Sequence, residues 1–488
     1  MLTVSEYQAQ DALGLAALVR KKEVSAEELL DLAMCVAEQV QPDINCFVDL
    51  FADRARAEIR AGLPAGPFTG VPFALKDLFS LYAGRRTGNG SALFNDFVPQ
   101  LSSELFARYV RAGFAIFAKT STPEFGLSAT TEPRTSGVTR NPHDLSRSAG
   151  GSSGGAAAAV AAGVIPLAHA SDSGGSIRIP ASTCGLFGLK PSRGRMPMGP
   201  DRGESSAGLG TAHAVGISVR DSAALLDATA GPDAGAPYGI APPEGTWLNA
   251  ALLDPAPLRI GLVLAHPNGQ PVDSECEQAC LATARLCEEL GHHVDACTLP
   301  VDLAALRRAS APVLASTTRA LIDARAKTLG RAPVEADVEP VTWAIYQMAA
   351  GVTGAQFVAA QGELHRAGRL MATLHERFDV ILMPTLAELP AEIGHLSMNT
   401  HNIDEYFDRV ARYSPFTSLA NITGAPAMTL PLFTSASGLP VGTQVVGRFG
   451  DEATLLGLAG QIERAQPWGR RSAMSVSSNG MPRAEAAG

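Results

Sequence analysis

Residues 170–180 read ASDSGGSIRIP, with Gly174 and Gly175 standing immediately before Ser176. A glycine pair admits backbone conformations closed to other residues. It also leaves amide N–H groups uncovered, free to converge on one developing negative charge. In acyl transfer each well-placed donor of this kind removes roughly 3 kcal/mol of barrier. Ser173, Gly174, Gly175 and Ser176 therefore form a candidate oxyanion hole, and Ser176 is a candidate nucleophile. A serine hydroxyl needs a proton acceptor. The nearest histidine, His169, is not an obvious base, and the chain's ten histidines are scattered. Each reads as an ordinary core or surface residue.

A lysine can accept the proton if its amine is desolvated and so held neutral. Lys76 follows the apolar run Val71–Leu75 in GVPFALKD, which places its stem in the interior. Ser152 lies in SAGGSSGGAAAAVAAG, again between glycines, and can relay a proton between Ser176 and the amine. Ser-Lys variants of the serine triad provide the chemical precedent.

Competing readings of these stretches are weaker. GGSSG fits the G-x-S-x-G elbow, but NPHDLSRSAG before it reads as loop where an elbow needs a strand. GGSSGG lacks the Lys-Ser/Thr ending of a phosphate-binding loop. Cys276, Cys280 and Cys287 recur at helical spacing and read as a buried helix face before a metal site. Asp77 and Asp172 flank the candidates; tuning of Lys76 and hydrogen bonding to glycine-rich backbone are equally open to them. Arg178 reads first as a structural ion pair or carbonyl clamp.

The rest of the chain sets the frame. Its 488 residues are 46 % hydrophobic and 18 % charged, enough for a sizeable core. The formal charge is −9 and no long basic run occurs, so neither a nucleic-acid nor an anionic-membrane partner is indicated. Seven scattered cysteines argue against a disulfide framework and for a reducing cytoplasm. The N-terminus lacks the pattern of a signal peptide, and no apolar run is long enough to span a bilayer.

The first 40 residues read as helical, with Ser25 and Glu28 forming a capping box. Buried strands are expected at 71–75, 115–119 and 380–383, and further strands at 258–265, 293–299 and 443–446. Helices are expected at 101–112, 274–290 and 451–463, and over most of 302–378. Between 148 and 210 only 156–162 has helical character. Strands alternating with helices imply α/β layers around a large mixed sheet. No Pro/Ser linker divides the chain, so residues 1–468 are taken as one domain and 469–488 as a polar, mobile tail.

The segments GGSSGG, DSGGSIRIPAS and GLKPSRGR resemble the amidase signature family, and GVPFALKD, KTSTPEFG, TRNPHD, SLANITGAPAMTLP and GLPVGTQVVGRFGDE extend the resemblance over about residues 65–468. It implies a large central mixed sheet covered by helices on both faces. It implies amide hydrolysis through an acyl-enzyme, with Ser176 as nucleophile, Ser152 as bridging serine after a cis peptide bond and Lys76 as base. No cofactor and no metal are implied, and the partner is a small-molecule amide; a homodimer is compatible with this. By the same resemblance Thr130, Thr131, Phe416 and Asn421 face the substrate. No charged anchor stands among them, which favours an apolar, aryl, linear or cyclic amide. Ser173 replaces the family's commoner Thr but keeps a hydroxyl. The Gly-rich stretch 196–216 is similar to the branch around 6-aminohexanoate cyclic-dimer hydrolase. It differs from the branch of amidotransferase glutaminase subunits, which remains the alternative.

Overall fold

The computed structural model describes residues 2–469; the tail expected from 469 onwards lies, Gly469 apart, outside the described residues. Helices Val4–Ala9, Ala12–Arg20 and Ala26–Ile44 occupy the N-terminal segment. The capping box is present: Ser25 Oγ accepts from the Glu28 N–H at 3.1 Å, and the Glu28 carboxylate accepts from the Ser25 N–H at 2.8 Å.

An eight-stranded mixed sheet runs in the order His293–Ala296, Arg259–Leu262, Val380–Pro384, Pro440–Gly447, Ala427–Thr434, Phe187–Lys190, Thr211–Gly216, Leu167–Asp172. The first three strands are mutually parallel and the remaining pairings antiparallel. Every residue of Val380–Pro384 and Pro440–Gly447 is buried, as a sheet covered on both faces requires. Two glycines locate the covering layers. A Cβ at Gly442 would meet Ser182, in the helix Arg178–Cys184, at 2.9 Å. A Cβ at Gly447 would meet Leu455, in the helix Glu452–Ala465, at 3.0 Å. Positions five apart on a strand point to opposite faces, so helices lie on both.

A second sheet pairs Phe47–Leu50 antiparallel with Ala115–Thr120, which runs parallel to Pro72–Lys76. Pro72–Lys76 packs beside Leu167–Asp172, the end strand of the large sheet. This junction brings Lys76 and the glycine-rich loop after Asp172 together.

Most expected elements occur within a few residues of their expected bounds. The region 148–210 needs correction. Besides helix Gly154–Ala161 it contains helix Arg178–Cys184 and strands Leu167–Asp172 and Phe187–Lys190. Those strands are built largely from small or apolar residues buried on both faces, so alternation is lost. The helix carries Pro180 within its first turn, where the missing N–H costs little, and stops at Gly185 in the left-handed region.

Candidate active site

Lys76 closes the strand PFALK, all five residues of which are buried. Its backbone N–H donates to His169 Nδ1 at 3.1 Å. Its amine lies 2.7 Å from Ser152 Oγ, 2.9 Å from Ser153 Oγ and 3.1 Å from Ser171 Oγ. Burial pulls the amine down from its usual 10.5 to about 7, against the charge of Asp172, which favours the protonated form. The imidazole of His169 is pushed down to about 3, by burial first and then by Lys76, and is neutral. His169 is thus an acceptor that seats Lys76. It and Ser171 are two apart on one strand and share the face turned to the lysine.

The Gly151–Ser152 peptide is cis. A Cβ at Gly151 would sit 2.5 Å from the Thr130 carbonyl oxygen, so this loop passes its neighbour at a distance only glycine allows. Thr131 Oγ1 donates to the Gly150 carbonyl at 2.8 Å and clamps the same loop.

The second loop is organised by Asp172. Its carboxylate accepts from the Gly175 N–H at 2.8 Å, the Ile177 N–H at 3.1 Å and Asn421 Nδ2 at 2.9 Å. It also pairs with Arg178 through Nε at 3.0 Å and Nη2 at 2.9 Å, both side chains being fully buried. Burial opposes ionisation of Asp172, but Arg178 and the hydrogen bonds outweigh it and hold the carboxyl far below the usual range. Arg178 continues to the Thr417 carbonyl, Asn421 Oδ1 and Gln444 Oε1. It is the internal ion pair and carbonyl clamp expected of it. Asp77 instead pairs with Lys119 at 3.3 Å and accepts from the Gly88 N–H at 2.9 Å. Cys276, Cys280 and Cys287 form a buried face of helix Ser274–Glu289.

This geometry corrects one member of the expected oxyanion hole. The Gly175 N–H is taken by Asp172 and is not free to meet a substrate. Gly175 serves instead through its shape, with φ +134° and Thr417 Oγ1 only 2.4 Å from where a Cβ would stand. Gly175→Ala is therefore expected to destabilise the protein by about 2–4 kcal/mol, from backbone strain and overpacking together. Gly174 has open space at its Cβ position, and Gly174→Ala should change stability by less than about 1 kcal/mol. Urea unfolding of the two variants checks the contrast.

Ser152, Ser173, Gly174 and Ser176 line one cavity of about 480 Å³, a size suited to a small-molecule ligand. Among the described residues no side chain holds the Ser176 hydroxyl, so the Lys76–Ser152 contact is formed while Ser176 stands unengaged at the cavity wall.

Four expected substrate contacts are not in that wall. Thr130 and Thr131 are fully buried, with hydroxyls turned to the Leu396 and Gly150 carbonyls. Phe416 is fully buried against His266. Asn421 is held by Asp172, Arg178 and the Leu209 carbonyl. Their neighbours Ser128, Ala129, Pro415 and Ser418 line the cavity instead. Charged groups absent from those segments are also present: Arg202, Arg307 and Arg308, with Asp201 as the one carboxylate among the described residues. Nothing in the local sequence marks them, because they arrive from segments far apart in the chain.

The Amidase family model matches residues 28–456. The 6-aminohexanoate-cyclic-dimer hydrolase of Paenarthrobacter ureafaciens is 36 % identical over 471 residues, covering 94 % of this chain and 95 % of that protein. The solved structure of 6-aminohexanoate cyclic dimer hydrolase with substrate superposes with a TM-score of 0.89 at 34 % identity, covering 95 % of this chain and 98 % of the other. A bacterial aryl acylamidase gives 0.85 at 28 % identity, covering 94 % and 97 %. The matched span contains the lysine strand and both serine loops, and the likeness runs nearly end to end: this chain belongs to the amidase signature family of amide hydrolases.

Proposed function

We propose that this protein hydrolyses carbon–nitrogen bonds of linear or cyclic amides, with Ser176 as nucleophile, Ser152 as proton relay and Lys76 as general base. The observation that carries the proposal is the buried, partly neutral Lys76 amine 2.7 Å from Ser152 Oγ, on a cavity that Ser152 shares with Ser176. Neutral Lys76 takes the proton of Ser152 while Ser152 takes that of Ser176. Ser176 Oγ bonds to the amide carbon, and the carbonyl electron pair moves to oxygen. The N–H groups of Gly174 and Ser176 receive that oxygen, while Gly175 is anchored to Asp172. The pair returns, the carbon–nitrogen bond breaks, and the leaving amine takes back the proton along the same relay. Water then attacks the acyl-enzyme, activated by the same lysine, and frees the acid and Ser176. The Ser176–Ser152 hydrogen bond forms as substrate fills the cavity and turns the free hydroxyl, a tightening common to catalytic contacts.

Strands of the large sheet come from residues 167 to 447, which supports one domain over residues 1–468. Among the described residues no disulfide joins any of the seven cysteines, which supports a reducing, cytoplasmic setting. No helix among the described residues is long and apolar enough to cross a membrane.

The test is an assay of the purified chain alone against an aryl amide, a cyclic amide and glutamine. Turnover of an aryl or cyclic amide without added subunits is expected. Turnover of glutamine only, and only with added subunits, would favour a glutaminase subunit of an amidotransferase.

A further inference from the structure

In a chain of net charge −9, the charged lining of the catalytic cavity has the opposite sign: Arg202, Arg307 and Arg308 against Asp201. Arg202 is the most enclosed of the three. Its guanidinium lies over the ring of Phe79, 4.5 Å from the centroid. Its one ion-pair contact among the described residues is loose, Nε to Asp201 Oδ1 at 4.0 Å, and Asp201 is itself half exposed. Among the described residues it makes no hydrogen bond, so its planar fork of donors is unfilled. Arg307 and Arg308 are exposed along helix Leu303–Thr328 and make no ion pair among the described residues.

The ring under Arg202 is carried on a constrained backbone. Phe79 has φ +53° and Phe125, also in the cavity wall, φ +51°, a region that bulky residues avoid. Both are held there by one residue. Phe79 N–H donates to Asn89 Oδ1 at 3.0 Å, and Phe125 N–H donates to the Asn89 carbonyl at 2.9 Å. Strain maintained in this way concentrates where a ligand is positioned. Here it fixes an aromatic platform beneath an arginine whose ion pairing among the described residues is the loose contact with Asp201 alone.

We propose that Arg202, stacked on Phe79, binds a carboxylate of the substrate remote from the scissile bond, and that Arg307 and Arg308 draw the anion into the cavity. The enzyme then selects amides that carry a free carboxylate. An arginine fork meets a carboxylate through two parallel N–H···O bonds, and stacking pre-sets its plane. Two further exposed cations raise the local concentration of an anion in a salt-dependent way. This rests on the hydrolase function proposed above.

Two matched substrate pairs test it with the full chain. One pair carries the charge on the acyl side: glutaric acid mono-4-nitroanilide against pentanoic acid 4-nitroanilide. The other carries it on the amine side: N-butanoyl-6-aminohexanoate against N-butanoyl-6-aminohexan-1-ol. In at least one pair kcat/KM should favour the carboxylate by about 10- to 100-fold, mainly through KM. That ratio should fall toward unity in Arg202→Gln, and it should fall in the unaltered protein as NaCl rises from about 20 to about 500 mM. The salt series needs no variant, so a poorly folding substitution does not spare the proposal. Equal or greater kcat/KM for the neutral member in both pairs would overturn it, and so would a ratio unchanged in Arg202→Gln. Neutral members turned over by the parent but not by Ser176→Ala would leave the hydrolase function standing while the carboxylate proposal fell. No turnover of any of the four would remove both.

Discussion

Ser176→Ala is expected to lower kcat/KM for any amide substrate by about 10⁴- to 10⁶-fold, the range seen when the nucleophile of a serine-based relay is deleted. The substitution removes one oxygen from a half-buried side chain that makes no hydrogen bond among the described residues. Its effect on stability should therefore stay within about 0.5 kcal/mol. Steady-state kinetics beside a thermal melt separates the two quantities. Loss of activity with an unchanged melt is the expected pair of results. Retained activity would place the attacking group elsewhere, Ser152 being the cavity hydroxyl that meets Lys76 at 2.7 Å.

Lys76→Met should lower kcat/KM by about 10³- to 10⁴-fold, the upper part of the range for removing a general base. Methionine keeps most of the stem's volume in a site where Lys76 is wholly buried. The stability change has the opposite sign. Burial holds the folded-state amine near 7, well below the value of 10.5 in an open chain. Between these two values the unfolded chain binds more protons, so the native protein gains stability as pH rises and loses it as pH falls toward 7. A methionine has no such dependence. The variant should melt at the same or a higher temperature than the parent at pH 7, and its melting temperature should vary less with pH across that window. Activity and stability moving apart would mark Lys76 as a group kept for chemistry at a cost to the fold.

The candidate site was legible where chemistry leaves a local mark. Lys76 ends an apolar run that has no use for a cation at its end, and Ser152 and Ser176 each follow a glycine pair. Burial of the helix face carrying Cys276, Cys280 and Cys287 follows from spacing alone. Contacts made across the fold were not legible. Thr130 and Thr131 are adjacent in sequence to the cavity wall at Ala129, yet each hydroxyl turns inward to a carbonyl. Asn421 is required by Asp172 and Arg178, residues about 240 positions away, and its side chain is engaged before any substrate arrives. The strand Ala427–Thr434 carries Pro431 in its interior beside a register shift between Leu430 and Phe433, so its sequence argues against the element it forms. Arg202 gave no signal because a lone arginine in a glycine-rich loop reads as a solvated charge; its meaning comes from Phe79 beneath it.

The proposed chemistry depends on the Lys76 amine being a base near neutrality because it is buried. The direct measurement is kcat/KM for a neutral aryl amide across pH in the unaltered protein. A single protonation with an apparent pKa near 7 is predicted, activity falling about tenfold per pH unit on the acid side as Lys76 takes up its proton. A profile that stays flat down to about pH 5 would mean that the group accepting the proton of Ser176 is not this lysine.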